Sequence, residues 1–461
     1  MNGNSRAWWW RCWTRAALVV ALGLTAAPGV SGQTFQCGVV PAPIPDNNDS
    51  GVTLTCPVSG FATALGSVQV TLTLDPAHTF AGDLDADLAP PGATPGGAGS
   101  FILFDAADDF NVADAVMAGP YTFTDLAAMN FLAAAVTAGG GATIPSGAYR
   151  TAEADDNVST SLNEALGGIP ASAANGTWRL RMRDLFAEDT GTIAAASITL
   201  GPPTIVAALL PTSRSVQAPN GVASAFATII NTGAGAATNC RISPRTDVPG
   251  AFLYQTTNAQ NQLAGTPNTP ATIAAGQAQS FFFAFTPAAP FGPADVALNF
   301  VCDQSAGAIV TGLTTLALVA SATPVPDIIA LVATVNNTGI LDIAGAGPLS
   351  APAAGGAGAF AVATSNVGAA GPITVSADTG TAALPVVLNV CQTGPGGCVQ
   401  PPASSVQVQM AAGQTSTFSV FAQGTGAPIP FDPANSRVFV RFKDNSNVTR
   451  GSTSTAVRTV P

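Results

Sequence analysis

Residues 177–183, with the sequence TWRLRMR, alternate apolar side chains with arginines. Successive side chains of a β-strand point to opposite faces of a sheet, so this stretch predicts a strand with one buried face and one wet face. Residues 52–58 (VTLTCPV) and 67–74 (SVQVTLTL) are also rich in β-forming residues. Short runs of this kind, separated by Gly, Pro and Asn turns, predict an all-β chain. The Ala-rich segment between 105 and 140 fits either a short helix or a covering loop.

The composition favours extracellular β-sandwiches. Only 9% of the 461 residues are charged, and Thr, Val, Ala, Gly and Pro are abundant. Sandwiches with polar but uncharged outer faces have this composition. A chain of this length predicts about two to four domains. No apolar run after residue 32 is long enough to span a bilayer, so the sequence predicts no transmembrane segment in the mature chain.

The N-terminus has the pattern of a signal peptide. Residues 1–32 contain three arginines, a short apolar core at residues 16–27 and small residues just before Gln33. This order predicts export and a mature chain that starts near Gln33. A buried N-terminal helix is the alternative.

The cysteine content predicts disulfide bonds in an exported chain. Cys12 is lost with the signal peptide, and an even number then remains for an oxidising compartment. Pairing neighbours along the chain gives one bridge in each of three units, although the sequence leaves other pairings open. Zinc binding is a weaker alternative, because the chain has no CxxC motif and only one histidine, His78. The six remaining cysteines are Cys37, Cys56, Cys240, Cys302, Cys391 and Cys398.

Negative charge is concentrated in one part of the chain. Residues 33–200 contain 15 Asp and 3 Glu against 4 Arg, a net charge of −14, whereas residues 201–461 contain 8 acidic and 8 basic residues. An acidic surface argues against nucleic acid as a partner, because a phosphate backbone requires basic residues. It favours divalent cations, since hard cations prefer carboxylate and carbonyl oxygens.

The second half of the chain repeats itself. Residues 274–277 (AAGQ) precede a Phe-rich stretch, and residues 411–414 have the same sequence before a similar stretch. Repeated patterns at this spacing predict tandem copies of one fold. Short strands separated by Gly, Pro and Asn turns predict an immunoglobulin-like β-sandwich for each copy. The two copies are predicted near residues 203–322 and 323–461, after a Gly-Pro-Pro linker that begins at residue 201.

A set of short motifs in the acidic part resembles a known family, the P domain (homo B domain) of proprotein convertases and bacterial subtilisin-like proteases. The resemblance covers residues 36–201, and the order and spacing of the motifs carry it. One departure is Ala196, where the family often has tryptophan. The motifs are IPDN at 44–47, HTFAGDL at 78–84, APPGAT at 89–94, GAYR at 147–150, NGTWRL at 175–180 and DTGTI at 189–193.

The resemblance implies a jelly-roll-like β-sandwich at residues 33–202, followed by the two sandwich repeats. In the family this domain usually follows a subtilisin-type catalytic domain and supports its folding, but bacterial members also occur apart from a protease. The resemblance further suggests calcium as a cofactor, and its candidate ligands are Asp46, Asp83, Asp184 and Asp189. The alternative is that these aspartates cap turns through their own backbone. Asp85 and Asp87 are expected to be solvated.

No sequence pattern predicts an enzyme. No protease domain precedes the P-like segment, and a Ser-His-Asp triad would have to use His78 as its base. The resemblance places that histidine beside the Gly-Asp-Leu motif, where a structural role is expected. A glycosidase needs two paired carboxylates, and nothing marks such a pair. The glycines at 139–141 lack the Lys-Ser or Lys-Thr of a P-loop.

These observations together predict a secreted or cell-surface bacterial protein that acts by binding or adhesion. The expected partner is a protein or a glycan at the cell surface, contacted through loops on a rigid scaffold. Three alternatives remain open at this point. The P-like domain could assist a separate subtilisin-like protease, the chain could be a structural envelope or matrix component, or it could be a carbohydrate-active module, because jelly rolls frequently bind sugars.

Overall fold

The computed structural model describes residues 32–38, 40–107, 112, 115–344 and 354–460. Within these residues the chain is built mainly from β-strands that pair into antiparallel sheets, which confirms the all-β sandwich prediction. The predicted signal peptide lies outside the described residues, apart from residue 32. No helix in the described part of the chain is long and apolar enough to cross a membrane.

The first unit contains ten strands in two sheets. One sheet has the order β1-β10-β4-β7-β8, with β2 also paired to β10, and the other has the order β3-β9-β5-β6. The inward side chains of both sheets share one hydrophobic core, in which Trp178 is fully buried. The strands are β1 (Gln33–Gln36), β2 (Ala42–Pro43), β3 (Asn48–Val58), β4 (Ser67–Leu74), β5 (Leu84–Ala89), β6 (Phe101–Asp105), β7 (Tyr121–Phe123), β8 (Gly147–Tyr149), β9 (Gly176–Asp184) and β10 (Thr192–Gly201).

The described part of the first unit also contains three short α-helices. They are α1 (Phe131–Ala138), α2 (Leu162–Leu166) and α3 (Ala171–Ala174). Helix α1 begins after Asn130, whose side-chain oxygen accepts a hydrogen bond from the Ala133 N–H at 2.7 Å. The ambiguous Ala-rich segment therefore contains a helix as well as strand β7. Helix α2 lies at the junction with the second unit.

The second and third units each contain ten strands. The second has β11 (Ile205–Leu210), β12 (Ser213–Gln217), β13 (Ala223–Asn231), β14 (Ala237–Pro244), β15 (Gly250–Thr256), β16 (Ala271–Ile273), β17 (Ala278–Pro287), β18 (Phe291–Cys302), β19 (Ser305–Ala306) and β20 (Thr315–Ser321). The third has β21 (Ile328–Ala333), β22 (Ile340–Ala344), β23 (Ala354–Asn366), β24 (Gly371–Asp378), β25 (Val386–Gly394), β26 (Gly397–Cys398), β27 (Ser405–Met410), β28 (Thr415–Thr425), β29 (Arg437–Lys443) and β30 (Thr449–Val460).

These two units share one topology. The sheets β11-β13-β17-β15 and β12-β20-β18-β14-β16 correspond strand by strand to β21-β23-β28-β25 and β22-β30-β29-β24-β27. In both units the first strand divides between the two sheets, and its second part pairs in parallel with the last strand. Each unit buries its own hydrophobic cluster. The shared topology agrees with the repeat found in the sequence.

Three disulfide bonds form, and each joins neighbouring cysteines along the chain. The pairs are Cys37–Cys56, Cys240–Cys302 and Cys391–Cys398. The last bridge closes the β25–β26 hairpin, as its spacing predicts. Disulfides form and persist in oxidising compartments, so the three bridges indicate an extracytoplasmic protein.

Buried polar contacts connect the units. Between the first and second units, the Asn163 side-chain amide donates to the Asp303 carbonyl oxygen at 3.0 Å. Between the second and third units, Arg214 Nε donates to Asp327 Oδ2 at 2.9 Å, and the carboxyl group of Asp327 is almost fully buried. A buried pair of this kind is costly to break, because one partner is left with an uncompensated charge. The contacts therefore fix how each unit meets the next.

Candidate functional site

The four predicted calcium ligands lie at one end of the first unit. Strand β9 pairs with β5 on one side and β3 on the other, and its last residue, Asp184, lies opposite the first residue of each neighbour. Asp83 directly precedes β5, Asp46 lies just before β3, and Asp189 lies in the loop after β9. Strand pairing therefore gathers carboxylates from three separate chain segments, and we call this set the acidic cluster.

Asp184 is held by the only histidine of the chain. The Nε2 atom of His78 lies 3.0 Å from Asp184 Oδ2, and both side chains are fully buried. The Nδ1 atom of His78 lies 2.9 Å from the carbonyl oxygen of Phe80. Gly191 packs against this histidine so closely that an added Cβ would lie 2.9 Å from the Cβ of His78. Both ring nitrogens are engaged within the protein, so His78 has none left to activate a serine.

Asp83 is the least compensated carboxylate of the acidic cluster. The residue is only 4% exposed, and its carboxylate has no hydrogen bond to any described residue. Burial, followed by the negative charge of Asp184, raises the pKa of Asp83 to about 6. Asp189 and Asp46 act in the same direction, and His78 opposes them. The other three carboxylates are therefore close enough to Asp83 to disfavour its negative charge.

The other two aspartates of the acidic cluster are more accessible and contact segments that are distant in sequence. The Glu188 N–H donates to Asp46 Oδ2 at 3.4 Å. The Thr79 hydroxyl donates to Asp189 Oδ1. Neither contact is the local turn cap of the alternative interpretation; within the acidic cluster only Asp184 makes one, through the Phe186 N–H at 3.4 Å. No sequence signal selects Thr79, apart from its position next to the histidine in the HTFAGDL motif.

Asp85 and Asp87 differ from the sequence expectation. Both residues are 4% exposed and not solvated. Arg183 donates to Asp85 Oδ2 at 2.6 Å, and Arg181 forms an ion pair with Asp87 at 2.7 Å. The arginines of β9 lie opposite these aspartates across the β5–β9 pair. The charged face of the strand is therefore covered by ion pairs, which remain outside the acidic cluster.

The chemistry of the acidic cluster fits a hard divalent cation in kind. Calcium takes about six to eight oxygen ligands, mostly carboxylates and carbonyls from separate loops. The described residues contain no three His, Cys, Asp or Glu side chains that stand close enough to hold a metal ion as they are. The exposed and half-buried members, Asp46 and Asp189, have room to change rotamer. Asp83, Asp184, Asp46 and Asp189 are the residues that would hold calcium.

Comparison with known proteins adds no family. No family model matches the chain, and no curated protein is similar to it in sequence. The solved structures that a structural comparison finds are distant.

Two of these structures illustrate the distance. A β-glucuronidase from Bacteroides uniformis has 10% identity and a TM-score of 0.17, with 51% of this chain and 26% of that chain covered. The CupB6 tip adhesin from Pseudomonas aeruginosa has 11% identity and a TM-score of 0.18, with 52% and 90% covered. The chain thus spans about a quarter of the length of that β-glucuronidase. Similarities this low carry no argument about fold, activity or partner.

Proposed function

We propose that the protein is a secreted or surface-exposed, non-catalytic binding or adhesion protein whose first unit is stabilised by calcium. The observation that carries the proposal is the acidic cluster, and Asp83 in particular. A carboxylate that is 4% exposed, lacks a hydrogen-bond partner among the described residues and lies among other carboxylates is stabilised by a proton or by a bound cation.

Few positive charges of the first unit are free to compensate the acidic cluster. Arg181 and Arg183 are engaged by Asp87 and Asp85 in β5. Without a cation, repulsion and burial keep a proton on Asp83 up to a pH of about 6. A bound calcium ion would replace that proton and tie the start of β5 to the end of β9.

Two further observations support a non-catalytic protein outside the cytosol. Each of the three disulfides joins two cysteines within one unit, as expected for exported domains. The only histidine is fully buried, with both ring nitrogens engaged, which leaves no histidine for acid–base chemistry at a surface site.

Thermal unfolding of the mature chain, which starts near Gln33, tests the proposal. Trp178 is the only tryptophan after residue 13 and is fully buried in the first unit, so its fluorescence reports the unfolding of that unit in the mature chain. Calcium at about 100 times its dissociation constant should add about 2.7 kcal/mol to the stability. This corresponds to a rise in melting temperature of about 5–10 °C over the same protein in chelator.

Two variants assign the effect to the cluster. Asp83→Asn should remove most of the calcium-dependent rise, because it removes a carboxylate ligand. Asp155→Asn is the matched control, since Asp155 is exposed and does not contribute to the charge around Asp83. A folded wild-type protein with the same melting temperature in calcium and in chelator would contradict the calcium proposal. An equal rise in both variants would place the ion elsewhere.

A further inference from the structure

A polar cleft of about 800 Å³ lies between the first and second units. One wall includes Phe101, Arg150 and residues 159–161 and 164–165, and the other includes Arg241 and Arg245. The volume is within the range of small-molecule sites, and such sites occur preferentially where domains meet. The cleft is separate from the acidic cluster, because the two share no residue.

The walls of the cleft are held in place by direct contacts. The Ile309 N–H donates to the Gly168 carbonyl oxygen at 2.9 Å, and the Ala306 N–H donates to the Gly66 carbonyl oxygen at 2.6 Å. An added Cβ at Gly167 would lie 2.5 Å from the Cβ of Ala306. The backbones of the two units therefore touch beside the cleft. A ligand would meet a preformed site, which reduces the entropic cost of binding.

Two of the three arginines in the cleft are neutralised within the protein. Arg150 forms an ion pair with Asp303 at 3.0 Å, across the junction of the units. Arg241 forms an ion pair with Glu164 at 2.6 Å, also across the junction. Glu164 is the only carboxylate that lines the cleft among the described residues. These pairs fix the walls and leave no net charge of their own.

Arg245 supplies the excess positive charge. Its guanidinium donates to the carbonyl oxygens of Gly167 at 2.8 Å and Ala165 at 3.2 Å, at the end of helix α2, and to Asn299 Oδ1 at 3.4 Å. In the described part of the chain it has no carboxylate within ion-pair distance. Carbonyl oxygens satisfy its hydrogen bonds but do not neutralise its charge. Burial lowers the pKa of Arg245, in keeping with a guanidinium that has lost water without gaining a counter-ion.

We propose that this cleft binds a carboxylate-bearing sugar, a hexuronate unit of an acidic oligosaccharide, with its carboxylate on Arg245. Guanidinium groups recognise carboxylates by charge-assisted, often bidentate hydrogen bonds. For the sugar hydroxyls, Asn239 offers its amide oxygen, Asn299 its amide nitrogen and Ser159 a hydroxyl, since the other amide atoms contact Asp303 and Arg245. An open cleft admits one unit of a longer chain. The inference gives the proposed binding role a ligand class and does not depend on calcium.

Phe101 completes the chemistry of the cleft. Its half-buried ring is the aromatic surface in a lining that is otherwise polar or small. The C–H face of a pyranose ring packs on such a surface while its hydroxyls turn to the polar wall. A simple inorganic anion would use Arg245 alone and leave the amides and the ring unused.

Isothermal titration calorimetry of the full chain tests the proposal. The probes are trigalacturonate and triglucuronate, each compared with its own methyl ester, which removes the charge and adds a methyl group to each carboxyl group. We expect at least one acid to bind and its ester to bind about tenfold more weakly or not at all, as for loss of one charge-assisted pair. This comparison uses the wild-type protein, so it stands even if a variant fails to fold. Equal binding of acid and ester, or no binding of either acid, would overturn the proposal.

Variants locate the site. Arg245→Gln should weaken binding of the acid about tenfold or more, and Asn299→Ala should weaken it less, because it keeps the charge and removes an amide that also contacts Arg245. Arg458→Gln is the matched control, because Arg458 lies in an exposed ion pair of the third unit. Unchanged affinity in Arg245→Gln, with unchanged melting temperature, would overturn the site assignment. A calcium-dependent melting temperature without any uronate binding would leave the calcium proposal standing and refute this one.

Discussion

A buried carboxyl group beside a half-buried one should make the stability of the first unit fall as pH rises. Asp85 in β5 lies directly opposite Asp105 in β6. Burial, and then a hydrogen bond with the carboxyl group of Asp105, raises the pKa of Asp85 to about 8. Arg183, which donates to Asp85 at 2.6 Å, acts in the opposite direction without overcoming them. Two carboxyl groups and one arginine are neutral together when the two carboxyls share one proton.

The sign of the effect follows from proton binding. Between the unfolded pKa of an aspartate, about 3.9, and the folded value of about 8, the folded state holds a proton that the unfolded state has lost. The stabilisation is therefore complete at low pH and lost as pH rises through about 8. One proton corresponds to about 1.4 kcal/mol per pH unit, which limits the loss between pH 5 and pH 8 to about 4 kcal/mol. Rearrangement of Asp85 and Asp105 around Arg183 reduces this loss of stability, and we expect a loss of about 2 kcal/mol.

The test is Asp105→Asn, compared with the wild type in urea at pH 5, 6, 7 and 8. The amide can still hydrogen-bond to Asp85 but carries no charge, so Asp85 can ionise beside Arg183. Trp178 fluorescence reports the first unit alone in the mature chain. Chelator keeps calcium from adding its own pH dependence through Asp83. We expect the stability of the variant to fall less with pH, so that the variant gains about 2 kcal/mol on the wild type by pH 8.

Equal slopes for the two proteins would contradict this prediction. They would mean that Asp85 is already ionised in the folded wild type and that Arg183 outweighs both burial and Asp105. A variant that is less stable than the wild type at every pH by a constant amount would lead to the same conclusion, since a constant loss reports a lost contact and not a lost proton.

Two further predictions concern the contacts between units, each measured by calorimetry of the full chain. Asp327→Ala should lower the free energy of unfolding by about 3–5 kcal/mol. Arg214→Met combined with Asp327→Leu should lower it less, because the double variant leaves no buried charge unpaired. A loss in the double variant equal to the sum of the losses in the two single variants would contradict this. Gly168→Ala should lower the free energy of unfolding by about 2 kcal/mol or more. The reason is that φ at Gly168 is +79° and the new Cβ would lie 2.9 Å from the Gly307 carbonyl oxygen. Gly140→Ala, also at positive φ but with open space around it, should cost less.

The strands and the repeat could be predicted from sequence because both are local or periodic signals. Alternation in residues 177–183 predicted strand β9, and the observed strand has the buried face that the pattern requires. The matched sequences at 274–277 and 411–414 precede equivalent strands β17 and β28 in two units of the same topology. The disulfide pairs also followed the simplest order along the chain.

The residues that cover the outward face of a strand could not be predicted in the same way. The arginines of β9 alternate with apolar residues, which indicates an outward face but not what covers it. In the structure, β5 lies beside β9 and places Asp85 and Asp87 opposite Arg183 and Arg181. That pairing joins residues about a hundred positions apart, and no local pattern encodes it. The same limit applies to the cleft, whose walls come from two units that meet only in three dimensions.

Helix α2 connects the two proposed roles of the protein. The buried carboxylate of Asp125 accepts hydrogen bonds from the backbone N–H groups of Leu162 at 2.9 Å and Asn163 at 3.1 Å. These bonds hold the start of the helix within the first unit. From the same helix, Glu164 reaches Arg241 and thus forms part of the cleft. The cleft can therefore persist only while the first unit is folded. Calcium would then support ligand binding through stability, without any contact between the ion and the sugar.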